Sequence, residues 1–242
     1  MRGISPLLIL LLTAKLSVAS QWGAADSRQL LAWRSDIEAT ISKTPGYTQD
    51  PNLVNLADKV MTAWRDDPES PLKAVKAAWS FYYARTFSGK VKGGPYAGLV
   101  VKLRSFKDLG SEVSLARAVI GAYEFAERGL ITPDVVARMA KEPVLAPAGH
   151  LLFYYQSKSL EDAEQALNYA QVATKQWPQI SKFKSWVAES YESRWTFSKN
   201  KTDLQSALQA YNAYLALAGV PVESRKKAEE RKRWIASKLG TG

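Results

Sequence analysis

From residue 21 onward, apolar residues return at spacings of three and four, and no stretch alternates apolar and polar residues in the period-two manner of a strand. A chain patterned this way has only helix faces with which to bury its apolar surface, so the expected fold is all-α. Leu30, Leu31, Trp33, Ile37 and Ile41 make a first amphipathic face that stops before Pro45-Gly46. Leu53, Leu56, Val60 and Trp64 make a second, opened by Asp50-Pro51, an aspartate cap followed by a proline suited to the first turn. Pro68 and Pro71 bracket a turn, after which Leu72, Val75, Trp79, Tyr82 and Tyr83 carry a third helix to Gly89. The same spacing predicts helices near 96–108, 113–128, 133–142, 148–158, 161–176, 180–198, 203–218 and 221–238.

The segment ahead of these helices reads as an address. Arg2 and the amino terminus are positive, Leu7 to Leu12 form an unbroken apolar run, and Lys15 cuts that run short of the roughly 20 residues a membrane span needs. Ser17 and Ala19 supply a small-x-small site, so residues 1–20 are expected to be a signal peptide cleaved after Ala19 or Ser20. The alternative is an uncleaved N-terminal membrane tether. Loss of Arg2 and Lys15 leaves 31 basic against 23 acidic residues, a basic mature chain.

Composition then removes chemistry. With no cysteine and a lone His150, there is no disulfide framework, thiolate nucleophile or histidine-rich metal centre, and neither cofactor nor metal is expected. Export without cysteine points to a bacterial envelope, periplasmic or secreted, because extracellular eukaryotic domains lean on disulfides. There the basic surplus would meet anionic envelope polymers before nucleic acid. The stretch Gly89-Lys90-Val91-Lys92-Gly93-Gly94-Pro95 is rich in glycine and lysine but lacks the Gly-Lys-Ser/Thr triplet of a phosphate loop, and a helix precedes it. It reads as an interhelical connection.

The chain also matches itself at an offset of 110: Ala63 with Ala173, Pro68 with Pro178, Ala78 with Ala188, Ser80 with Ser190, Thr86-Phe87-Ser88 with Thr196-Phe197-Ser198, and Ala97 with Ala207. A duplication of about 51–108 and 161–218 is expected within one helical-repeat domain of residues 21–242, closed by a basic capping helix at 221–239. Within it, Ala166, Ala170, Ala173 and Pro178 follow a helix bearing His150, Phe153, Tyr154 and Ser157. This resembles the tetratricopeptide repeat, whose units set small and aromatic residues where two antiparallel helices touch and a proline at the exit turn. The resemblance implies a right-handed α-α superhelix of stacked helix pairs, with a concave groove for a protein or peptide partner.

If first helices line that groove, the phase set by Ala78, Tyr154 and Ala188 directs Trp79, Tyr82, Tyr83, Tyr155, Lys158, Lys182, Glu189 and Glu192 into it. Rings with a few charges suit an extended peptide or a glycan strand. The expected function is therefore a non-enzymatic binding or scaffold module. The alternatives are a binder of anionic polymers, or a peptidoglycan-acting enzyme with Glu189 as its acid, since Glu189-Ser190 resembles the Glu-Ser pair of lytic transglycosylases. His150 has no recognisable nucleophile beside it in the sequence.

Overall fold

The computed structural model describes residues 22–43, 51–88, 91, 94–106, 110–124 and 131–240. Residues 1–20, where a signal peptide is expected, Pro45-Gly46, Asp50, and Gly89, Lys90, Lys92 and Gly93 of the glycine–lysine stretch lie outside the described residues. Among the described residues eleven α-helices follow in chain order: α1 (Ala24–Lys43), α2 (Pro51–Arg65), α3 (Pro71–Phe87), α4 (Ala97–Ser105), α5 (Gly110–Glu124), α6 (Pro133–Lys141), α7 (Ala146–Tyr155), α8 (Leu160–Gln176), α9 (Ser181–Ser198), α10 (Lys201–Leu215) and α11 (Val222–Leu239). Short 3-10 turns at Gly94–Tyr96 and Pro143–Leu145 lead into α4 and α7. No strand occurs among the described residues, so the all-α expectation holds.

The helix starts are written in side chains that satisfy otherwise unpaired backbone N–H groups. Ser70 accepts from the Lys73 amide ahead of Pro71, and Thr132 accepts from the Val135 amide ahead of Pro133. Ser159 accepts from the Asp162 amide at 3.1 Å, while the Asp162 carboxylate reaches back to the Lys158 amide at 2.9 Å. Asn200 caps α10 through the Thr202 amide at 3.0 Å, which accounts for the Asn200-Lys201-Thr202 triplet as a helix start. Only Lys199 and Asn200 separate α9 from α10, and Lys199 turns the chain with a left-handed φ of 55°. A connection that short forces α10 to return antiparallel along α9.

From α7 to α11 each helix packs on its chain neighbour. In the first half α3 is the centre, touching α1, α2, α4 and α5, and α5 carries the packing on to α7. The main core runs from Leu30 to Trp186, and a smaller one gathers Ala188, Leu204, Tyr211, Tyr214 and Ile235 between α9, α10 and α11. α7 and α8 pack tightly at Gly149, where a Cβ would stand 2.8 Å from the ring of Tyr169.

Helix bounds repeat with the offset seen in the sequence. Moved by 110, α3 spans 181–197, against Ser181–Ser198 for α9, and α2 falls inside α8. The end of α4 at Ser105 moves onto the end of α10 at Leu215, and α10 simply begins six residues earlier.

Candidate functional site

A cleft of about 1090 Å³ is walled by the end of α7, the length of α9, two residues of α10 and the face of α11 from Ser224 to Trp234. α9 supplies its floor, because Lys182, Ser185, Trp186, Glu189, Glu192 and Ser193 fall on one face at helical spacing. Tyr155 and Phe197 stand exposed at its edges.

Two acids on that floor have different surroundings. Glu192 is buried and fully engaged: it accepts the Tyr211 hydroxyl at 2.6 Å and two nitrogens of the Arg231 guanidinium, which itself lies 4.4 Å from the Trp234 ring. Glu189 is half-buried, and loss of hydration together with the negative charge of Glu192 pushes its carboxyl up to about 7, against the pull of Lys182 and Arg231. The Lys182 ammonium sits 5.0 Å from the Trp186 ring and reaches solvent through the cleft mouth. Protein around it still strips part of its hydration, and with Arg85 nearby its pKa is lowered.

The groove residues expected from sequence divide accordingly. Tyr155, Lys182, Glu189 and Glu192 come together in the cleft. Lys158 lies exposed in the turn between α7 and α8 and does not reach the cleft lining. Trp79, Tyr82 and Tyr83 are a correction: all three are 0% exposed and belong to the main core. Arg34 of α1 covers Trp79, with its guanidinium carbon 3.6 Å from the ring centroid. The Tyr83 hydroxyl donates to Glu38 of α1, and the Tyr82 hydroxyl donates to the Val144 carbonyl of the 3-10 turn before α7. Tyr82 also packs on Tyr123 of α5 at 5.7 Å between centroids.

The offset of 110 supplies the physical reason. Glu189, Glu192 and Ser193 occupy in α9 the places of Trp79, Tyr82 and Tyr83 in α3, and Lys182 and Ser185 the places of Leu72 and Val75. The face is the same; its chemistry is not. An apolar face draws neighbouring helices onto it, whereas a face of acids, serines and a lysine would lose its hydration if covered and so stays open.

A second cluster is a network of ion pairs. Arg34 pairs with Glu142 at 2.7 Å and Glu38 at 3.0 Å, and Arg138 joins Glu142 at 3.0 Å to Glu112 at 2.6 Å. Burial works against ionised Glu142, but its bonds to Arg34 and Arg138 prevail and hold the carboxyl below its ordinary value. This network ties α1, α5 and α6 together around the buried Arg34, with Glu38, Arg138 and Glu142 partly exposed.

Ser190 is a nucleophile type that the sequence did not place beside His150, and its Oγ lies 3.4 Å from the His150 Nδ1. The pair is not poised for catalysis. Nδ1 lies 3.1 Å from the Ala166 carbonyl, so it carries the proton and cannot take one from Ser190. Burial holds the ring neutral, with its pKa pushed down to about 3, and both side chains are 0% exposed. The imidazole is stacked between Tyr154 and Trp186. Among the described residues no group of histidine, aspartate and glutamate side chains could hold a metal ion, and no helix is long and apolar enough to cross a membrane. No protein-family model, curated protein or solved structure matches the chain.

Proposed function

We propose that the chain is an exported, non-enzymatic docking module that receives an extended segment of a partner protein in the cleft over α9, within a tetratricopeptide-like right-handed superhelix. The cleft carries this reading. At about 1090 Å³ it exceeds the roughly 300–1,000 Å³ of small-molecule pockets. Its edges offer apolar contact through Tyr155 and Phe197, and its floor offers both signs of charge and several hydroxyls. Peptides combine these needs, since side chains bury apolar area while the main chain demands donors and acceptors. The matching bounds of α2 with α8 and of α3 with α9 favour the duplicated helix-pair reading.

The test is a peptide library selected on the full chain, with each selected peptide measured again on a Tyr155→Ala/Phe197→Ala variant. At least tenfold weaker binding with an unchanged melting temperature is expected. Peptides that bind the variant as tightly would remove the cleft from the reading.

One observation favours a second reading, an enzyme acting on an envelope glycan. Glu189, poised near pH 7 by burial beside a second carboxylate, has the tuning that a general acid requires. In that case Glu189→Gln abolishes turnover of peptidoglycan, whereas in the docking module it only adjusts affinity.

A further inference from the structure

The groove over α3 and the cleft over α9 are counterparts, and among the described residues the chain fills only the first. Moved by 110, α5 spans 220–234, against Val222–Leu239 for α11, and α1 spans 134–153, ending inside α7. Walls and floor therefore correspond in the two halves. Over α3 the occupant is the chain's own turn: Glu142 is held by Arg34 of α1 and Arg138 of α6, and the residues after it cross the floor, where the Val144 carbonyl accepts from the Tyr82 hydroxyl. A carboxylate between two cations anchors that turn. Over α9 no described segment takes this place.

The start of α9 shows which charge would complete it. Ser70, whose side chain caps α3, is replaced at this offset by Ile180, whose side chain cannot cap, and Leu72 is replaced by Lys182. A lysine in the first turn of an uncapped helix faces the positive end of the helix dipole, an unfavourable placement that a bound anion reverses. Arg85 of α3 adds to the positive potential there. Lys227 stands on the α11 wall of the same cleft. Both lysines are exposed, and neither ammonium makes a hydrogen bond or ion pair among the described residues. The acids that share the cleft leave them so: Glu192 is bound to Tyr211 and Arg231, Glu189 lies roughly 10 Å along α9 from Lys182, and Glu230 makes no ion pair with Lys227. Residues 181–242 hold twelve basic against six acidic side chains, more than half of the basic surplus of the chain. What complements this end of the cleft is negative.

We propose that the partner segment docking over α9 is acidic, and that one of its aspartate or glutamate side chains lies between Lys182 and Lys227 as Glu142 lies between Arg34 and Arg138. The inference rests on the docking reading and names the chemistry of the partner. The anchored carboxylate sets the register in which the rest of the segment crosses α9, as Glu142 sets it for Val144 over α3.

The experiment selects a displayed peptide library on the full chain and measures the selected peptides, fluorescently labelled, by anisotropy. They should be enriched in aspartate or glutamate at one position, and replacing that residue with its amide should weaken binding about tenfold, the loss of one charged hydrogen-bonded contact. A Lys182→Gln/Lys227→Gln variant should bind the acid and amide peptides alike. Peptides selected without an acidic position overturn the proposal and leave the docking reading standing, whether or not the variant folds; a library that yields no binder overturns both. Equal weakening by Lys226→Gln/Arg233→Gln, exposed on α11 but outside the cleft lining, shows bulk attraction to a basic protein and overturns the clamp. Inorganic polyphosphate that binds more tightly than the selected peptides, through the same two lysines, assigns the clamp to a polyanion and overturns the acidic segment.

Discussion

The guanidinium of Arg34 lies flat enough over Trp79 to bring its carbon within 3.6 Å of the ring centroid, while the same group bridges Glu38 and Glu142. One side chain thus covers the core and joins α1 to the segment after α6. Removing one partner of a buried ionic network leaves the others uncompensated, which costs about 3–5 kcal/mol. Arg34→Ala is expected near the lower end of that range, because Glu142 keeps Arg138. Arg34→Lys should recover only part, since an ammonium cannot stack and fork together. Chemical denaturation of both variants checks the order.

Tyr82 and Tyr83 are expected to behave as core residues. Tyr82→Ala leaves a cavity between α3 and α5 and should cost about 3–5 kcal/mol. Tyr155→Ala, on an exposed ring, should stay within about 0.5 kcal/mol. Equal losses at the two positions in thermal unfolding would contradict the separation of core from cleft.

Gly149 is held as glycine by the ring of Tyr169, which fills the place of a Cβ. The helix–helix approach is tight on both sides, since Tyr169 is itself buried. Gly149→Ala is expected to destabilise by about 1–3 kcal/mol, as other overpacked cores do. Adding Tyr169→Leu to that variant should restore part of the loss, and a thermal melt of the pair decides it.

How much of this was legible in the sequence depends on what each residue's neighbours do. Helix identity followed from periodicity, because the spacing of Leu53, Leu56, Val60 and Trp64 is a local property of α2. The phase of the site helices was local too, and the same phase that chose Glu189 chose Trp79. Whether a face is open is not local. It depended on Arg34, distant in sequence, covering one face, and on acids keeping the other wet. The offset itself carries the signal that separates them, because Trp79 opposite Glu189 and Tyr82 opposite Glu192 are changes from apolar to charged on one helix face. The contribution of Tyr211 and Arg231 to the site had no such signal, since it required knowing that α10 and α11 fold back beside α9.

Acid stability should show the buried His150 and the half-buried Glu189 working against each other. His150 has its pKa lowered to about 3, so between that value and 6.5 the unfolded chain binds a proton that the folded chain refuses, and stability falls on acidification by about 1.4 kcal/mol per pH unit. Glu189 has its carboxyl raised from 4.5 to about 7, so the folded chain holds the extra proton in that range, and stability falls as pH rises. From about 4.5 to 6.5 the two slopes have opposite sign and similar size, and the unsubstituted protein should be nearly flat in their combined contribution. Glu189→Gln removes one of them. The variant is expected to lose stability on acidification from 6.5 to 4.5 at about 1.4 kcal/mol per pH unit, the slope that His150 contributes alone. Below 4.5, protonation of Glu142 adds a further loss in both proteins, because Arg34 and Arg138 hold that carboxyl below its ordinary value. Denaturant midpoints measured at half-unit steps of pH decide the matter, and parallel profiles for the two proteins would show that Glu189 titrates as an ordinary solvated acid.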